Sequence, residues 1–423
     1  MPEQRFKILD LFAGPGGLDV AAHFLGIPSM GIEWDRNACL TRYQAGLDTI
    51  HGDVSKVRRE RFSEIPEDFN VLAGGPPCQS FSVAGKGRGR GQIEDLRKLM
   101  NLMKALVNDH ENPEIDKELG KLDPRAALVL EPLRWLLKRN AEYGKPYDAI
   151  ILEQVPTALP VWQEYKEILE SLTGELEYEC AEPHVLRTER YGVPQTRQRA
   201  IFIARRKKAD FGSVPELPKG IFRSFDPRAP YERSVDAPVQ EQMQFDAHLD
   251  SAEPEPWRSM HTALKAAGPF LPHAEGTTAL PENFVVVSNY GSGGDPKKRG
   301  RRSSHFPAFT VTGKVSRNVI LVDDKDHGRF SIPEAGALQT FPGNYPWSGN
   351  DRSQQVGNAV PPLFAMHVLG AALEVPLPED PIESALKWEP ASEERAAELR
   401  ERGCGDEDRC TDLCPPQDEV TKK

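Results

Sequence analysis

The sequence predicts an α/β fold whose central sheet is mostly parallel, and three observations support this prediction. Short apolar runs alternate with amphipathic stretches through the first two hundred residues. The apolar runs are continuous, which is typical of strands that are covered on both faces. The first run, residues 6–12, ends at the turn Gly14-Pro15-Gly16-Gly17, and residues 18–25 then have helical spacing. Repetition of this strand–turn–helix order indicates a layered α/β domain.

Further apolar runs predict the remaining elements. We expect strands at 29–32, 70–73, 149–152 and 200–204, and helices at 96–108, 126–140, 161–173 and 363–373. From about residue 206 to 342 the chain is rich in Pro, Gly and charged residues, with short strands expected at 284–287 and 309–312. The α/β domain is therefore expected at 1–205 and 343–375. A smaller, loop-rich domain with a linking helix is expected at 206–342.

Charge is distributed unevenly along the chain. The net charge is −11, of which −8 falls between residue 374 and the end of the sequence. Residues 376–423 are acidic and flanked by prolines, and they predict a flexible tail that is partly helical, from Glu393 to Arg402. Two basic runs, at 86–90 and 297–302, stand out against the rest. A local basic patch governs affinity for nucleic acid more than the total charge does.

The sequence gives no signal for membrane insertion or secretion. We find no apolar run near the roughly 18 to 20 residues of a membrane span. Residues 1–6 lack a basic stretch followed by an apolar one. These features predict a cytoplasmic protein with reduced thiols. Cys404, Cys410 and Cys414 have no fourth Cys or His nearby, which favours free thiols over zinc, and no metal is predicted.

The turn after the first strand predicts a cofactor site. Its glycines allow a ligand to approach the N-terminus of the next helix, and Glu33 after the second strand can accept hydrogen bonds from a ribose. A dinucleotide fingerprint would need Gly where Asp19 stands, so S-adenosyl-L-methionine (SAM) fits better. Trp34 suits stacking on adenine, although the turn alone fits a structural corner equally well. The predicted contacts are Phe12, Ala13, Gly14, Gly16, Gly17, Leu18, Glu33, Trp34, Asp53, Pro76, Asn358 and Ala359.

The segment Gly74-Gly75-Pro76-Pro77-Cys78-Gln79-Ser80 predicts a catalytic thiol. Cys78 follows a strand end and two prolines, which stiffen the backbone and fix the direction of its side chain. A stabilised thiolate is a strong nucleophile. A lone cysteine is more often buried in a core, but the polar residues and the basic glycine-rich loop after it do not suit a core position. We expect nucleic-acid contacts from Gln79, Ser80, Ser82, Lys86, Arg88 and Arg90.

Two further segments place charged side chains at strand ends. Glu153 ends the strand at 149–152, where a carboxyl group can bind a ring nitrogen and act as an acid. Arg197 and Arg199 alternate before the strand at 200–204, so both can point to one face and suit a pyrimidine carbonyl or phosphates. Alone, such residues are more often caps or surface charges. Together with Cys78 they predict a catalytic site.

In their order along the chain, six segments resemble the DNA (cytosine-5)-methyltransferases of bacteria and phages. These segments are 12–17, Pro76-Pro77-Cys78, Glu153, Gln195-x-Arg197-x-Arg199, Leu338-Gln339-x-Phe341-Pro342 and Gln355-x-Gly357-Asn358. The resemblance implies a Rossmann-like SAM-dependent methyltransferase lobe and a smaller target-recognition lobe. It also implies that Cys78 attacks carbon 6 of a flipped-out cytosine in double-stranded DNA, while Glu153 contacts the ring nitrogen and Arg199 the carbonyl. The usual Glu-Asn-Val of the family is Glu153-Gln154-Val155 here.

The resemblance is to enzymes of the restriction–modification type, and we expect a monomer. The sequence leaves open whether a cognate endonuclease exists; one would act separately. Two alternatives remain open, an RNA (tRNA) cytosine-5 methyltransferase and a catalytically silent DNA-binding relative. The length of the second region favours DNA over RNA, and the presence of all three catalytic residues favours an enzyme. DNA contacts in the second lobe are expected from Lys297, Lys298, Arg299, Arg301 and Arg302. No function is assigned to the insertion at 108–124.

Overall fold

The computed structural model describes residues 5–77, 88–105, 109, 112–123, 127–226, 256–272, 280–288 and 300–404, without the side chains of 88–92. Its strands are β1 (Ile8–Leu11), β2 (Ser29–Glu33), β3 (Thr49–His51), β4 (Val71–Gly74), β5 (Ala149–Gln154), β6 (Tyr178–Cys180), β7 (His184–Arg187), β8 (Gln198–Arg206), β9 (Val285–Val287), β10 (Arg301–Ser303), β11 (Val319–Val322) and β12 (Lys325–Gly328).

The α-helices lie between and after these strands. They are α1 (Gly17–Phe24), α2 (Arg36–Gln44), α3 (Val54–Glu60), α4 (Arg88–Ala105), α5 (Pro113–Leu119), α6 (Glu131–Tyr143), α7 (Leu159–Glu170), α8 (Met260–Ala267), α9 (Ile332–Leu338), α10 (Arg352–Asn358), α11 (Pro362–Leu373), α12 (Pro381–Ser384) and α13 (Glu393–Cys404). The short α5 lies within the insertion predicted at 108–124.

The first sheet has the order β3-β2-β1-β4-β5-β8-β6, with β7 paired to β8. Strands β1 to β5 are parallel to one another, whereas β8 runs antiparallel to β5, β6 and β7. This arrangement confirms the predicted α/β, Rossmann-like class. Because parallel strands end at the same edge, the segments after β1, β2, β3, β4 and β5 lie together.

Both faces of the first sheet are buried, which explains its continuous apolar strands. Leu9 and Leu11 of β1 pack on one side into a cluster with residues of α4, α6 and α7. Ile8 packs on the other side with α1 and α11. Successive side chains of a strand point to opposite faces, so one short strand contributes to two cores.

The second sheet is antiparallel, with the order β10-β9-β11-β12. Together with α8 and α9 it forms a separate core that includes Met260, Phe284 and Ile320. The strand predicted at 309–312 is wrong. Backbone groups of that segment bind side chains of the first lobe instead, as Val311 does by donating its N–H to Gln195 Oε1 at 2.9 Å.

The prediction of a flexible tail is wrong for residues 376–404. This part of the chain contains α12 and α13, and Trp388 between them is buried. Helix α13 packs on α2 and β3. Its Leu399 contributes to a small cluster with Cys39, Tyr43 and Cys404, so apolar burial outweighs the acidic composition. Cys410 and Cys414 lie outside the described residues, while Cys404 is a buried thiol.

One apolar stretch is long enough to span a membrane, contrary to the sequence analysis. Residues 352–373 comprise α10 and α11, and their most apolar stretch of 18 residues has a mean hydropathy of 1.4. Of that stretch, 83% is buried inside the protein, and residues 359–361 separate the two helices. The stretch is thus built as a core element of this fold.

Candidate active site

The glycine turn after β1 brings two distant segments into contact. Gly14 and Gly16 have φ angles of 53° and 103°, in the left-handed region that favours glycine. A Cβ atom at Gly17 would overlap the carbonyl oxygen of Val360. Only glycine therefore lets the start of α1 approach the segment before α11. The predicted cofactor contacts at 12–18 and at 358–359 are thereby brought to one place.

Several turn residues offer their backbone rather than their side chains. Ala13 and Leu18 are buried, so we expect any ligand to contact their backbone atoms. Phe12 has a φ of 62°, a strained conformation for an aromatic residue that is found most often at functional sites. Asn358 is exposed, and its Oδ1 accepts from Gln354 Nε2 at 2.8 Å.

Glu33 binds the backbone of the turn. Its Oε2 accepts from the N–H of Gly14 at 2.7 Å, and its Oε1 accepts from the N–H groups of Trp34 and Asp35 at 2.8 and 2.7 Å. Burial raises the pKa of Glu33, and the hydrogen bonds from Asp35 and Gly14 oppose that shift. A carboxylate has about four lone-pair sites, so one remains on Oε2 for a hydroxyl group.

Trp34 and Asp53 lie at the ends of neighbouring strands. The Trp34 side chain is 72% exposed, which is unusual for so large an apolar ring. Asp53 caps α3, with its Oδ1 accepting from the N–H groups of Ser55 and Lys56 at 3.0 Å. One carboxylate oxygen of Asp53 is thus used by the fold, and Oδ2 remains for the predicted adenine contact.

A buried charge cluster under the turn was missed by the sequence analysis. Arg42 Nη1 donates to Asp19 Oδ2 at 2.6 Å, and both side chains are fully buried. Arg42 also donates to the carbonyls of Ala13 and Asp48. Burial, followed by the charge of Asp19, raises the pKa of the adjacent Asp10 well above its ordinary value. The signal in the sequence was Asp19 itself, which stands where a dinucleotide fingerprint has glycine.

The segment that leads to the predicted nucleophile lies beside Glu153. The Gln154 side chain donates its Nε2 to the Pro76 carbonyl and accepts from the N–H of Val155 through Oε1. A Cβ atom at Gly75 would lie 3.3 Å from Glu153 Oε2. Gln154, which replaces the usual Asn of the family, therefore reaches the proline backbone despite its extra methylene. The carbonyl of Pro76, a predicted cofactor contact, is used in this bond.

Glu153 and Arg199 form an ion pair at the carboxyl edge of the first sheet. They come from the antiparallel neighbours β5 and β8, and Arg199 Nε contacts Glu153 Oε1. Their side chains keep 13% and 14% exposure, so the pair is accessible to a ligand. A cavity of about 430 Å³ lies beside them, lined by Pro156, Arg187, Thr196, Gln198, Arg199, Arg302 and Thr310. A heterocycle in this cavity would meet the guanidinium of Arg199, which is itself paired with the Glu153 carboxylate.

Arg197 does not lie with Arg199, and its prediction as a catalytic residue is corrected here. Its side chain is 1% exposed. The guanidinium donates to the carbonyls of Val311, Gly357 and Ala359 at 2.9 to 3.1 Å. Residues two apart on a strand share a face, but here the strand begins only at Gln198. Arg197 thus holds three segments together and does not face the cavity.

Two buried glutamines extend this connection. Gln195 Nε2 donates to Gln339 Oε1 at 2.6 Å and to the Leu338 carbonyl at 3.0 Å. Gln339 Nε2 donates to the Val356 carbonyl at 2.6 Å. The sequence showed these glutamines only as members of motifs, and their pairing depends on contacts across more than a hundred residues.

Arg302 is also corrected, from a DNA contact to a buried connector. Its Nη1 donates to Thr196 Oγ1, Pro307 O and Ala308 O at 2.9, 3.1 and 2.8 Å. Its guanidinium lies 4.1 and 4.9 Å from the ring centroids of Phe309 and Phe225. We call residues 194–197 and 307–311, which Arg302 helps to join, the interlobe seam. By contrast, Arg301 is exposed and pairs with Asp324 at 2.8 Å.

Several predicted site residues lie outside the described part of the chain. They are Cys78, Gln79, Ser80, Ser82, Lys86, Lys297, Lys298 and Arg299. Arg88 and Arg90 lie in the first turn of α4, but their side chains are not described.

Comparison with known proteins identifies the family. The family described as C-5 cytosine-specific DNA methylase matches residues 6–112 and 114–374. The Type II methyltransferase M.Eco47II of Escherichia coli is 27% identical over 366 residues, which cover 84% of this chain and 76% of that protein. The Type II methyltransferase M.HpaII of Haemophilus parainfluenzae is 27% identical over 367 residues, which cover 84% and 86%.

The crystal structure of the S. pombe Dnmt2 methyltransferase is similar at 14% sequence identity with a TM-score of 0.48, covering 88% of this chain and 99% of that chain. The family match spans nearly all of both lobes, including every segment of the site described above. The chain belongs to the C-5 cytosine-specific DNA methylase family and is a DNA (cytosine-5-)-methyltransferase.

Proposed function

We propose that this enzyme transfers a methyl group from SAM to carbon 5 of cytosine within a specific sequence of double-stranded DNA, through a covalent bond between Cys78 and carbon 6. The observation that carries the proposal is the ion pair of Glu153 and Arg199 beside the cavity of about 430 Å³. The Pro76-Pro77 backbone that precedes Cys78 is bound next to this pair by Gln154.

The cofactor turn suits SAM. Glu33 retains one acceptor site for a ribose hydroxyl, Asp53 keeps Oδ2 for an amino group, and the exposed ring of Trp34 can stack on adenine. Nothing lies within 4 Å of a Cβ atom at Gly14, so the turn is open on that side. When bound, SAM supplies an electrophilic methyl group. The residues of the turn would orient it towards the cavity.

Covalent catalysis is required because carbon 5 of cytosine is a poor nucleophile. In our proposal the Cys78 thiolate forms a bond to carbon 6, while Glu153 gives a proton to the ring nitrogen and Arg199 donates to the carbonyl. The ring is then electron-rich at carbon 5, which would take the methyl group and leave S-adenosyl-L-homocysteine. Loss of the carbon 5 proton to a base restores the double bond between carbons 5 and 6 and expels the thiolate, and the ring nitrogen returns its proton to Glu153.

The reaction requires the cytosine to leave the DNA stack, at a cost of a few kcal/mol. We propose that the basic loop at 86–90 and the second lobe offset this cost by binding the DNA backbone. In this proposal the second lobe reads the bases. Of the described residues in the predicted basic run at 297–302, Arg301 is the one whose exposed side chain can contact DNA. The enzyme acts as a monomer, and a cognate endonuclease, where one exists, acts separately.

The product of the reaction tests this proposal. The chain is expressed in a host free of cytosine methylation, and its DNA is sequenced after bisulfite treatment. We expect 5-methylcytosine at one short sequence motif. Absence of methylation in DNA, or its presence in transfer RNA alone, would contradict the proposal and favour the silent or RNA-directed alternative.

The covalent step has its own test. A Cys78→Ser variant should lose turnover and fail to form an adduct with DNA that contains 5-fluorocytosine at the target. Cys410→Ser, which removes a thiol elsewhere in the chain, should form the adduct as the wild type does. A Cys78→Ser variant with normal turnover would remove this residue from the mechanism.

A further inference from the structure

The chain continues as folded structure beyond the region that matches the family. The match ends at residue 374, whereas the described chain reaches Cys404. We propose that residues 386–404, here called the C-terminal strap, position the cofactor turn through Trp388, Arg402 and Gly403 and so raise the affinity for SAM. This inference rests on the proposed function, because it takes SAM as the ligand of the turn.

The first contact of the strap reaches the turn through Trp388. The Trp388 Nε1 donates to the Ala45 carbonyl at 2.9 Å, and its backbone N–H and carbonyl are bound by the Asn344 side chain at 2.8 and 2.7 Å. The indole packs edge-on against Tyr345, with 5.9 Å between ring centroids. Trp388 is therefore fixed in both position and orientation against Tyr345.

Tyr345 connects Trp388 to the turn. Its buried hydroxyl donates to the carbonyl of Pro15 at 2.5 Å. Burial raises the pKa of Tyr345, which keeps the hydroxyl protonated and able to donate. A Cβ atom at Gly16 would lie only 3.1 Å from the same hydroxyl, so the ring lies directly against the turn. Tyr345 also packs against Phe341 and Trp347, so movement of Trp388 would loosen Tyr345, and with it the backbone at Pro15, without releasing it.

The second contact reaches the other side of the site, at β3. Arg61 donates through Nη2 to the Gly403 carbonyl at 3.2 Å and through Nη1 to the His51 carbonyl at 3.0 Å. His51 Nε2 in turn forms a hydrogen bond of 3.1 Å with the carbonyl of Trp34. The end of α13 is thereby connected to the residues that flank the proposed adenine position.

Gly403 shows how closely the strap fits this strand. A Cβ atom there would overlap the Thr49 carbonyl and lie 2.5 Å from Tyr43 Oη. Glycine normally weakens a helix relative to alanine, so its place near the end of α13 is explained by the close approach rather than by helix stability. Arg402 adds an exposed ion pair with Asp48, one residue before β3. Gly403 and Arg402 thus hold the strap against the start of β3.

The test compares binding of the two substrates. Gly403→Ala and Trp388→Ala are prepared in the full chain, with Glu401→Ala, an exposed position of the same helix, as the control. Calorimetry without DNA should give a dissociation constant for SAM raised about five- to tenfold in the two variants, the usual size of such coupling, and unchanged in the control. Affinity for the target duplex should change less than twofold.

A double-mutant cycle tests whether Trp388 acts through Tyr345. Tyr345→Phe removes the hydrogen bond to Pro15, so Trp388→Ala should add little to the loss of SAM affinity in a Tyr345→Phe background. Trp388→Phe retains an aromatic ring and should recover most of the affinity. If the alanine variants do not fold, as judged by circular dichroism, Trp388→Leu replaces Trp388→Ala, because it loses the ring and the Nε1 donor but fills more of the space and should still weaken SAM binding.

Two results would overturn the strap proposal. The first is that Gly403→Ala and Trp388→Ala fold and bind SAM as tightly as the wild type. The second is an equal loss of affinity for SAM and for DNA, which would indicate that the whole fold has loosened. A wild-type chain that does not bind SAM would instead overturn the proposed function, and the strap proposal with it.

Discussion

The proposed cofactor side and the proposed base side of this site are built in different ways. On the cofactor side, the carboxylate of Glu33 binds the backbone of Gly14, only 19 residues away. On the base side, Arg197 binds Gly357 and Gln195 binds Gln339 across separations of 160 and 144 residues. The contact of Glu33 with Gly14 forms within the β1–α1–β2 unit, although the same turn also packs against Val360 and Tyr345. The contacts on the base side require both lobes to be in place, so the two sides should respond differently to substitution.

The largest effect is expected on the base side, at Glu153. A Glu153→Gln variant keeps the size of the side chain but loses the acid and the negative charge beside Arg199. We expect turnover to fall by about 10²- to 10⁴-fold, the usual contribution of a general acid, while SAM binding is unchanged. Steady-state kinetics and calorimetry measure the two quantities. Turnover within tenfold of the wild type would exclude an acid role for Glu153.

Substitutions of Arg197 and Arg199 should distinguish a structural role from a catalytic one. Arg197→Met leaves three buried carbonyls without their donor, so the free energy of unfolding should fall by about 3 kcal/mol or more. Arg199→Met, at the edge of the cavity, should lower turnover strongly and change stability much less. Urea unfolding of both variants measures this difference. Equal losses of stability would show that the buried contacts of Arg197 are not what distinguishes the two residues.

In the second lobe, substitutions of Arg302 and Arg301 should distinguish a structural role from a role in DNA binding. Arg302→Met removes three donated hydrogen bonds at the interlobe seam and should cost about 2 kcal/mol of stability, together with a loss of turnover. Arg301→Met breaks an exposed pair and should cost less than about 0.5 kcal/mol. Its effect should appear in DNA affinity alone. If Arg301→Met proves the more destabilising variant, the seam has been assigned to the wrong arginine.

The smallest effect is expected on the cofactor side, as pH is lowered. Because burial raises the pKa of Glu33 above its ordinary 4.5, the carboxyl group takes up a proton at a higher pH than an exposed glutamate. Binding of SAM should weaken a few-fold as pH falls through that range, since a protonated Glu33 accepts fewer hydrogen bonds. Glu33→Gln should bind weakly at every pH and show no such slope.

This loss of binding can be told apart from acid unfolding. A carboxyl whose pKa is raised in the folded state binds its proton there before it does in the unfolded chain. Protonation of Glu33 therefore favours the folded state as pH falls. Circular dichroism should show an intact fold across the pH range in which SAM binding weakens.

Much of the architecture could be predicted from the sequence, because it depends on local patterns. Continuous apolar runs located β1, β2, β4, β5 and β8, and the turn at 14–17 located the start of α1. The short strands β3, β6 and β7 were missed because three or four residues carry too little periodicity.

The roles of the arginines could not be predicted in the same way. Alternation placed Arg197 and Arg199 on one face, but the regular strand begins at Gln198, and the acceptors that bury Arg197 lie more than a hundred residues away. Arg302 belonged to a basic run, and only the neighbouring aromatic rings and carbonyls show that it is buried. Whether an arginine faces solvent depends on partners that a local pattern does not contain.

The interlobe seam has a consequence for exchanging recognition regions between relatives. The seam joins backbone groups, since Thr196 N donates to Ala308 O and Ala308 N to Pro194 O, at 2.9 and 2.7 Å. Such bonds do not depend on most side chains, because they join backbone groups. The proposed recognition region of a relative could therefore be grafted here with its loops unchanged. The graft must carry an arginine equivalent to Arg302 and the backbone course of 307–311. We expect a transplant that lacks them to lose the support of residues 194–197, which directly precede the strand that carries Arg199.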